Sequence, residues 1–163
     1  MKNLSASIVC LGLLAGCVAL VGGCEKNKAT TTATKPLWDR LGGEPAVTAV
    51  VDKFVGRTAG NPKVNFFRKG VAGYPEWKPS DAQVATLKRR LVEFISVASG
   101  GPLKYSGKDM KSAHAGMKIS TAEFNAIAAD LSATLDEFKV PAKEKGELMA
   151  AVAGTAKDMV EIK

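Results

Sequence analysis

The chain has 163 residues, 46% of them apolar and 24% charged, a balance that suits one compact core and excludes both a polytopic membrane protein and a disordered chain. Its formal charge of +7 and pI near 9.4 come from basic residues scattered among acidic ones. With no basic block and no interleaved aromatics, no nucleic-acid partner is expected.

The first element stands apart from the domain. Lys2 precedes a mostly apolar run from Leu4 to Val21, the charged start and greasy middle of a secretory signal, so residues 1–23 are expected to direct export. All three cysteines, Cys10, Cys17 and Cys24, fall in this segment or at its end. That excludes disulfides and thiolate metal sites from everything downstream. Val21-Gly22-Gly23-Cys24 resembles the lipobox of bacterial lipoproteins, in which the cysteine becomes the acylated first residue, and Leu14-Ala15-Gly16-Cys17 resembles it as well. Cys24 is the preferred lipidation site, because Glu25-Lys26-Asn27-Lys28 follows it directly, whereas cleavage at Cys17 would strand Val18-Ala19-Leu20-Val21 in water. The other reading is an uncleaved helix of about 20 residues, long enough to span a bilayer. Either way an exported, membrane-anchored protein on the periplasmic or extracellular face is expected. Two or three acyl chains, at ~0.8 kcal/mol per buried CH₂, would hold it durably. Residues 24–36, Thr-rich and nearly free of large apolar side chains, read as a flexible linker, with the domain from 37 to 163.

From Leu37 onward the apolar spacing is helical and no period-two alternation appears, which makes the domain all-α. After Leu41-Gly42-Gly43, Pro45 suits a first helical turn, and Val47, Val50, Val51, Phe54 and Val55 form one stripe up to Gly60-Asn61-Pro62. A capping box at Ser80-Asp81-Ala82-Gln83 opens a second helix with Val84, Leu87, Leu91, Phe94, Ile95 and Ala98 inward, stopped by Gly100-Gly101-Pro102. A second capping box, Ser120-Thr121-Ala122-Glu123, opens a third, whose stripe is Phe124, Ile127, Ala128, Leu131, Leu135 and Phe138. Pro141 starts a last helix with Leu148, Met149, Val152, Met159 and Val160 inward, weakened at Gly146 and Gly154 by ~1 kcal/mol each relative to alanine. Two helix pairs result, separated by a glycine-rich stretch from 100 to 119.

That stretch holds the only histidine, His114, in Asp109-Met110-Lys111-Ser112-Ala113-His114. A single histidine bordering an apolar segment is more often structural than ligating, so the surrounding motifs decide. Leu37-Trp38-Asp39-Arg40-Leu41-Gly42-Gly43, then Phe66-Phe67, Gly100-Gly101-Pro102 with Tyr105 and Gly107, Met110 with His114, and finally Phe124 and Val140-Pro141 follow in an order and spacing that resemble group I truncated haemoglobins. The resemblance covers residues 37–161 and implies a truncated, two-over-two globin sandwich. It implies His114 as the proximal ligand of a b-type haem, since neutral imidazole suits iron and leaves the opposite position open. No Cys-x-x-Cys-His occurs, so c-type attachment is not expected. The iron should be five-coordinate and bind a diatomic gas (O₂, NO or CO) reversibly.

Mapped residue by residue, the resemblance puts Phe67 on the haem face, with Phe54, Met110, Met117, Ile119 and Phe124 as walls, and Arg90 and Lys108 near the propionates, where they could pair with a carboxylate. Where many members have Tyr and Gln as donors to bound dioxygen, this chain has Val55 and Leu91, with Leu87 one turn earlier. An apolar gas side forfeits a hydrogen bond worth ~1.5 to 3 kcal/mol, roughly ten- to a hundredfold in O₂ binding. No distal acid or base is present, so enzymatic turnover is not the expected work. Between Phe67 and the second helix lies a connection, including Gly70 to Pro79, roughly a dozen residues longer than is usual in the family; long ordered loops are often functional. Tyr74 in it could supply the hydroxyl that Val55 lacks, although a surface loop pinned by its aromatics is the commoner outcome for such a segment. The competing reading is a cofactor-free helical envelope lipoprotein acting as an interaction module, which would keep every apolar stripe but need no histidine at 114.

Overall fold

A computed structural model describes residues 35–163; the expected signal segment, Cys24 and most of the linker lie outside the described residues. Seven helices follow in order among them: α1 (Leu37–Arg40), α2 (Gly43–Ala59), α3 (Asp81–Ala98), α4 (Met110–His114), α5 (Thr121–Glu137), α6 (Ala142–Ala153) and α7 (Ala156–Met159). No strand occurs among the described residues beyond an isolated parallel bridge between Ser120 and Ile162. None of the helices is long and apolar enough to cross a membrane.

The long helices start and stop where local chemistry demands. Ser80 and Ser120 each accept from the backbone amide three residues on, while Gln83 and Glu123 reach back to the serine amide, so both capping boxes are complete. This satisfies two amides that an uncapped helix end would leave without partners. Before α2 the chain turns through Gly42 at φ +95°, a left-handed conformation that side chains resist. A Cβ there would also stand 2.8 Å from that of Ala46.

Helix α2 packs on α3, α5 packs on α6, and further contacts join α2 to α5 and α3 to α6: the two-over-two helical sandwich expected from the sequence. Val51, Leu135 and Leu148, each only 1% exposed, lie at its centre. Helix α1 seals one end. Trp38 is buried, its amide donates to Ser99 O (2.9 Å), and a Cβ on Gly101 would come within 2.6 Å of the indole. Arg40 ties α1 to α6 by ion pairs to Glu144 (2.5 Å) and Glu147.

Three expectations need correction. Ala98 is exposed and the inner face of α3 is completed by Val92 and Ser96; the buried Ser96 hydroxyl accepts from Leu103 N at 3.0 Å. Phe138 is 41% exposed because α5 has already ended at Glu137. The single helix after Pro141 is two. Gly154 is a weak helix former, and the Thr155 hydroxyl donates to Val152 O at 2.7 Å, competing with the backbone ladder. Beyond α7 the chain runs extended beside Ile119, with Glu161 N donating to Ile119 O and Thr121 N to Ile162 O, both at 2.9 Å.

Candidate functional site

Between the helix pairs lies a cavity of about 430 Å³, inside the ~300–1,000 Å³ range of cofactor and ligand sites. Its walls are almost wholly apolar. Val51, Phe54 and Val55 of α2 line it, with Leu87, Leu91 and Phe94 of α3, Phe124, Ile127 and Leu131 of α5, and Val152 and Met159 from the last two helices. His114 lines the same cavity, placed there by α4. That helix is only five residues long and is capped by the Asp109 carboxylate, which accepts from Ser112 N at 2.9 Å. The Ser112 hydrogen bonds hold the Asp109 carboxyl below its ordinary range.

The imidazole is oriented. Nδ1 lies 2.8 Å from Met110 O, one turn back. A carbonyl oxygen has no proton to give, so Nδ1 carries a hydrogen, and in the neutral ring this leaves the lone pair on Nε2, the tautomer a metal requires. No cluster of three or more His, Cys, Asp or Glu side chains occurs among the described residues. The donor set therefore suits an ion that brings its own equatorial ligands and needs one imidazole from the protein. A large apolar macrocycle carrying iron fits both the cavity and this donor, and it is the group that the sequence resemblance implied.

The segment after His114 is held from two directions. Gly116 (φ +78°) and Lys118 (φ +52°) turn the chain, and their amides both donate to the Glu161 carboxylate, at 2.7 and 2.6 Å. These two bonds hold the Glu161 carboxyl below its usual range. On the other side, buried Arg68 donates to Met117 O (3.0 Å) and pairs with Glu123, which also accepts from Asn65 N at 2.9 Å. Burial pushes the Glu123 carboxyl up, but the hydrogen bonds from Arg68 and Asn65 outweigh it and leave it lowered.

Of the residues chosen from sequence, Phe54, Val55, Leu87, Leu91, Met110, His114, Met117, Ile119 and Phe124 line the cavity, and Phe67, Arg90 and Lys108 do not. Phe67 is 40% exposed. Its neighbour Phe66 takes the cavity side, edge-on to Phe67 with ring centroids 5.2 Å apart and 5.5 Å from Trp77, and Trp77 N donates to Phe67 O at 2.8 Å. Arg90 is committed to Glu93 at 3.0 Å. Glu93 also accepts from the Ser106 hydroxyl and amide, and these two bonds, with Arg90 and Arg89, keep its carboxyl low. Lys108 is exposed, and its carbonyl accepts from Tyr105 OH at 2.8 Å. Met110 and Met117, four residues before and three after His114, line the same cavity.

Sequence reasoning missed Arg68, Phe66 and the depth of the long connection's involvement: Tyr74, Pro75, Glu76 and Trp77 all line the cavity. Of the two placements the sequence left open for Tyr74, the loop pinned by its aromatics is the one nearer to what the structure has. The Tyr74 Cδ2 is 3.6 Å from where a Cβ on Gly116 would stand, which puts the ring against the histidine's turn rather than over Val55. The wall formed by Val55, Leu87 and Leu91 stays apolar. Thr58 also borders the cavity, 3% exposed, with a hydroxyl that has no hydrogen-bond partner.

Comparison with known proteins matches residues 36–161 to the bacterial-like globin family model. The group 1 truncated haemoglobin of Tetrahymena pyriformis is 32% identical over 76% of this chain and 93% of its own length. That of Mycolicibacterium paratuberculosis is 30% identical over 76% and 82%. The crystal structure of the Tetrahymena pyriformis protein in its Fe(III) form superposes with a TM-score of 0.65 at 29% identity, covering 77% of this chain and 98% of that one. The 2/2 haemoglobin of Synechococcus sp. gives a TM-score of 0.64 at 27% identity over the same shares.

Proposed function

The chain belongs to the bacterial-like globins, with group 1 truncated haemoglobins as its relatives, and on that footing we propose that it is a haem-binding globin that takes up a diatomic gas reversibly. The observation that carries the reading is the imidazole at the cavity wall with Nδ1 fixed to Met110 O and Nε2 free. The haem is of the b type, held by His114 and by contact rather than by covalent bonds to cysteine. When bound, it would supply an iron able to take up a diatomic gas. The chain's own residues do the rest. His114 offers its lone pair, while Phe54, Phe66, Met110, Met117 and Phe124 shut water out. Val55, Leu87 and Leu91 face the gas side with hydrocarbon only, so they give O₂ no donor and favour less polar ligands such as CO and NO in relative terms.

Haem added to the purified domain should produce one equivalent of a Soret-absorbing complex. His114→Ala should weaken or shift that band, and a band indifferent to the substitution, or no stoichiometric uptake, would remove the reading.

The chain is also proposed to be tethered to a membrane through acylated Cys24, a reading supported by the apolar run, the small residues before the cysteine and the polar stretch after it. Labelled palmitate should enter the wild-type chain and not Cys24→Ser; label that follows Cys17 instead would move the anchor.

A further inference from the structure

The turn that carries the imidazole into the cavity cannot hold itself. Helix α4 has five residues, too few to be stable alone, and the chain leaves it through Gly116 and Lys118, both at positive φ. Lys118 stores strain there that something else must hold in place. Two amides of this turn converge on one anion, as in the backbone concavities that bind anions elsewhere. Here the anion is a side chain from the far end of the chain: Glu161 accepts from Gly116 N at 2.7 Å and from Lys118 N at 2.6 Å. The extended tail that delivers it is fixed by its own backbone bonds to Ile119 and Thr121, and α7 packs directly on α4.

We propose that Glu161 is a positioning residue for His114, a clamp from the carboxy-terminal tail that sets how the imidazole presents Nε2 to the cavity. It touches neither haem nor gas. It acts through the two amides, and it rests on the haem reading of the cavity. The residue thereby tunes the iron–imidazole bond, and through that bond the hold on haem and gas.

The test uses the full chain, with wild type, Glu161→Ala and Glu161→Gln. Without haem, amide exchange at Gly116 and Lys118 should be faster in Glu161→Ala. With haem, the iron–imidazole stretching mode of the reduced, gas-free protein should shift and broaden, and haem should pass to an acceptor apoglobin roughly tenfold faster, as when an outer partner of a ligating histidine is lost. Glu161→Gln keeps one carbonyl oxygen and should fall between the other two. Faster amide exchange with an unmoved stretching mode would mean that Glu161 only fastens the tail, and would overturn the proposal while leaving the haem reading intact. A wild type that takes up no haem would sink the reading itself, and the proposal with it.

Discussion

Single side chains decide what the cavity can do. On the proposed haem reading, Val55 and Leu91 stand where the resemblance puts the two donors of many group I members, and Leu91 is the easier to change because leucine and glutamine are close in volume. Leu91→Gln should slow O₂ dissociation by roughly ten- to a hundredfold, the equivalent of one hydrogen bond to a charged acceptor, with a smaller effect on CO; flash photolysis measures both, and an unchanged O₂ rate would show that position 91 does not face the gas. His114 itself was legible in the sequence only through its neighbours, because one imidazole has no periodicity. The choice between Phe66 and Phe67 was not legible. In an irregular segment, two adjacent aromatics point to different sides and nothing local says which is inward; here Phe66 lines the cavity beside Trp77 of the long connection, their rings tilted at 54°.

At the scale of elements, the parts that announced themselves were those whose ends carry hydrogen-bonding side chains. Ser80 with Gln83 and Ser120 with Glu123 begin α3 and α5 as read, since the capping box is a local event that needs no tertiary help. Helix α4 was hidden, because five residues are too few for a hydrophobic period to register. Asp109 ahead of Met110 was the available signal, an N-cap residue with the right geometry three residues before Ser112. The division of the last helix at Gly154 was half visible: the weak residue could be named, but the hydroxyl of Thr155 turning onto Val152 could not. The two pairs of long helices and their apolar stripes were the most legible part, and the long connection's role as cavity wall was the least.

Across the whole molecule, acidic side chains bind distant parts together: Glu93 joins α3 to Ser106, Glu123 joins α5 to Asn65 and Arg68, and Glu137 joins α5 to Lys53 and Arg57 of α2. The Ser106 hydrogen bonds at Glu93, the bonds from Arg68 and Asn65 that overcome burial at Glu123, and the Lys53 bond at Glu137 each hold the carboxyl below its ordinary value in the folded state. The sign follows: a lowered folded pKa stabilises above the unfolded carboxylate value of about 4.3, and that contribution is lost as pH falls through the folded values. The urea midpoint of the haem-free protein should therefore stay level from neutrality to about pH 5 and drop as the pH falls below about 4; a midpoint that rose on acidification would contradict these assignments. The molecule also carries a single imidazole, with one ring nitrogen tied to a carbonyl. An acylating pyrocarbonate selective for that ring thus has one place to react, the unencumbered nitrogen in the cavity wall. Its rate of attack counts empty pockets directly, which makes the protein its own occupancy gauge.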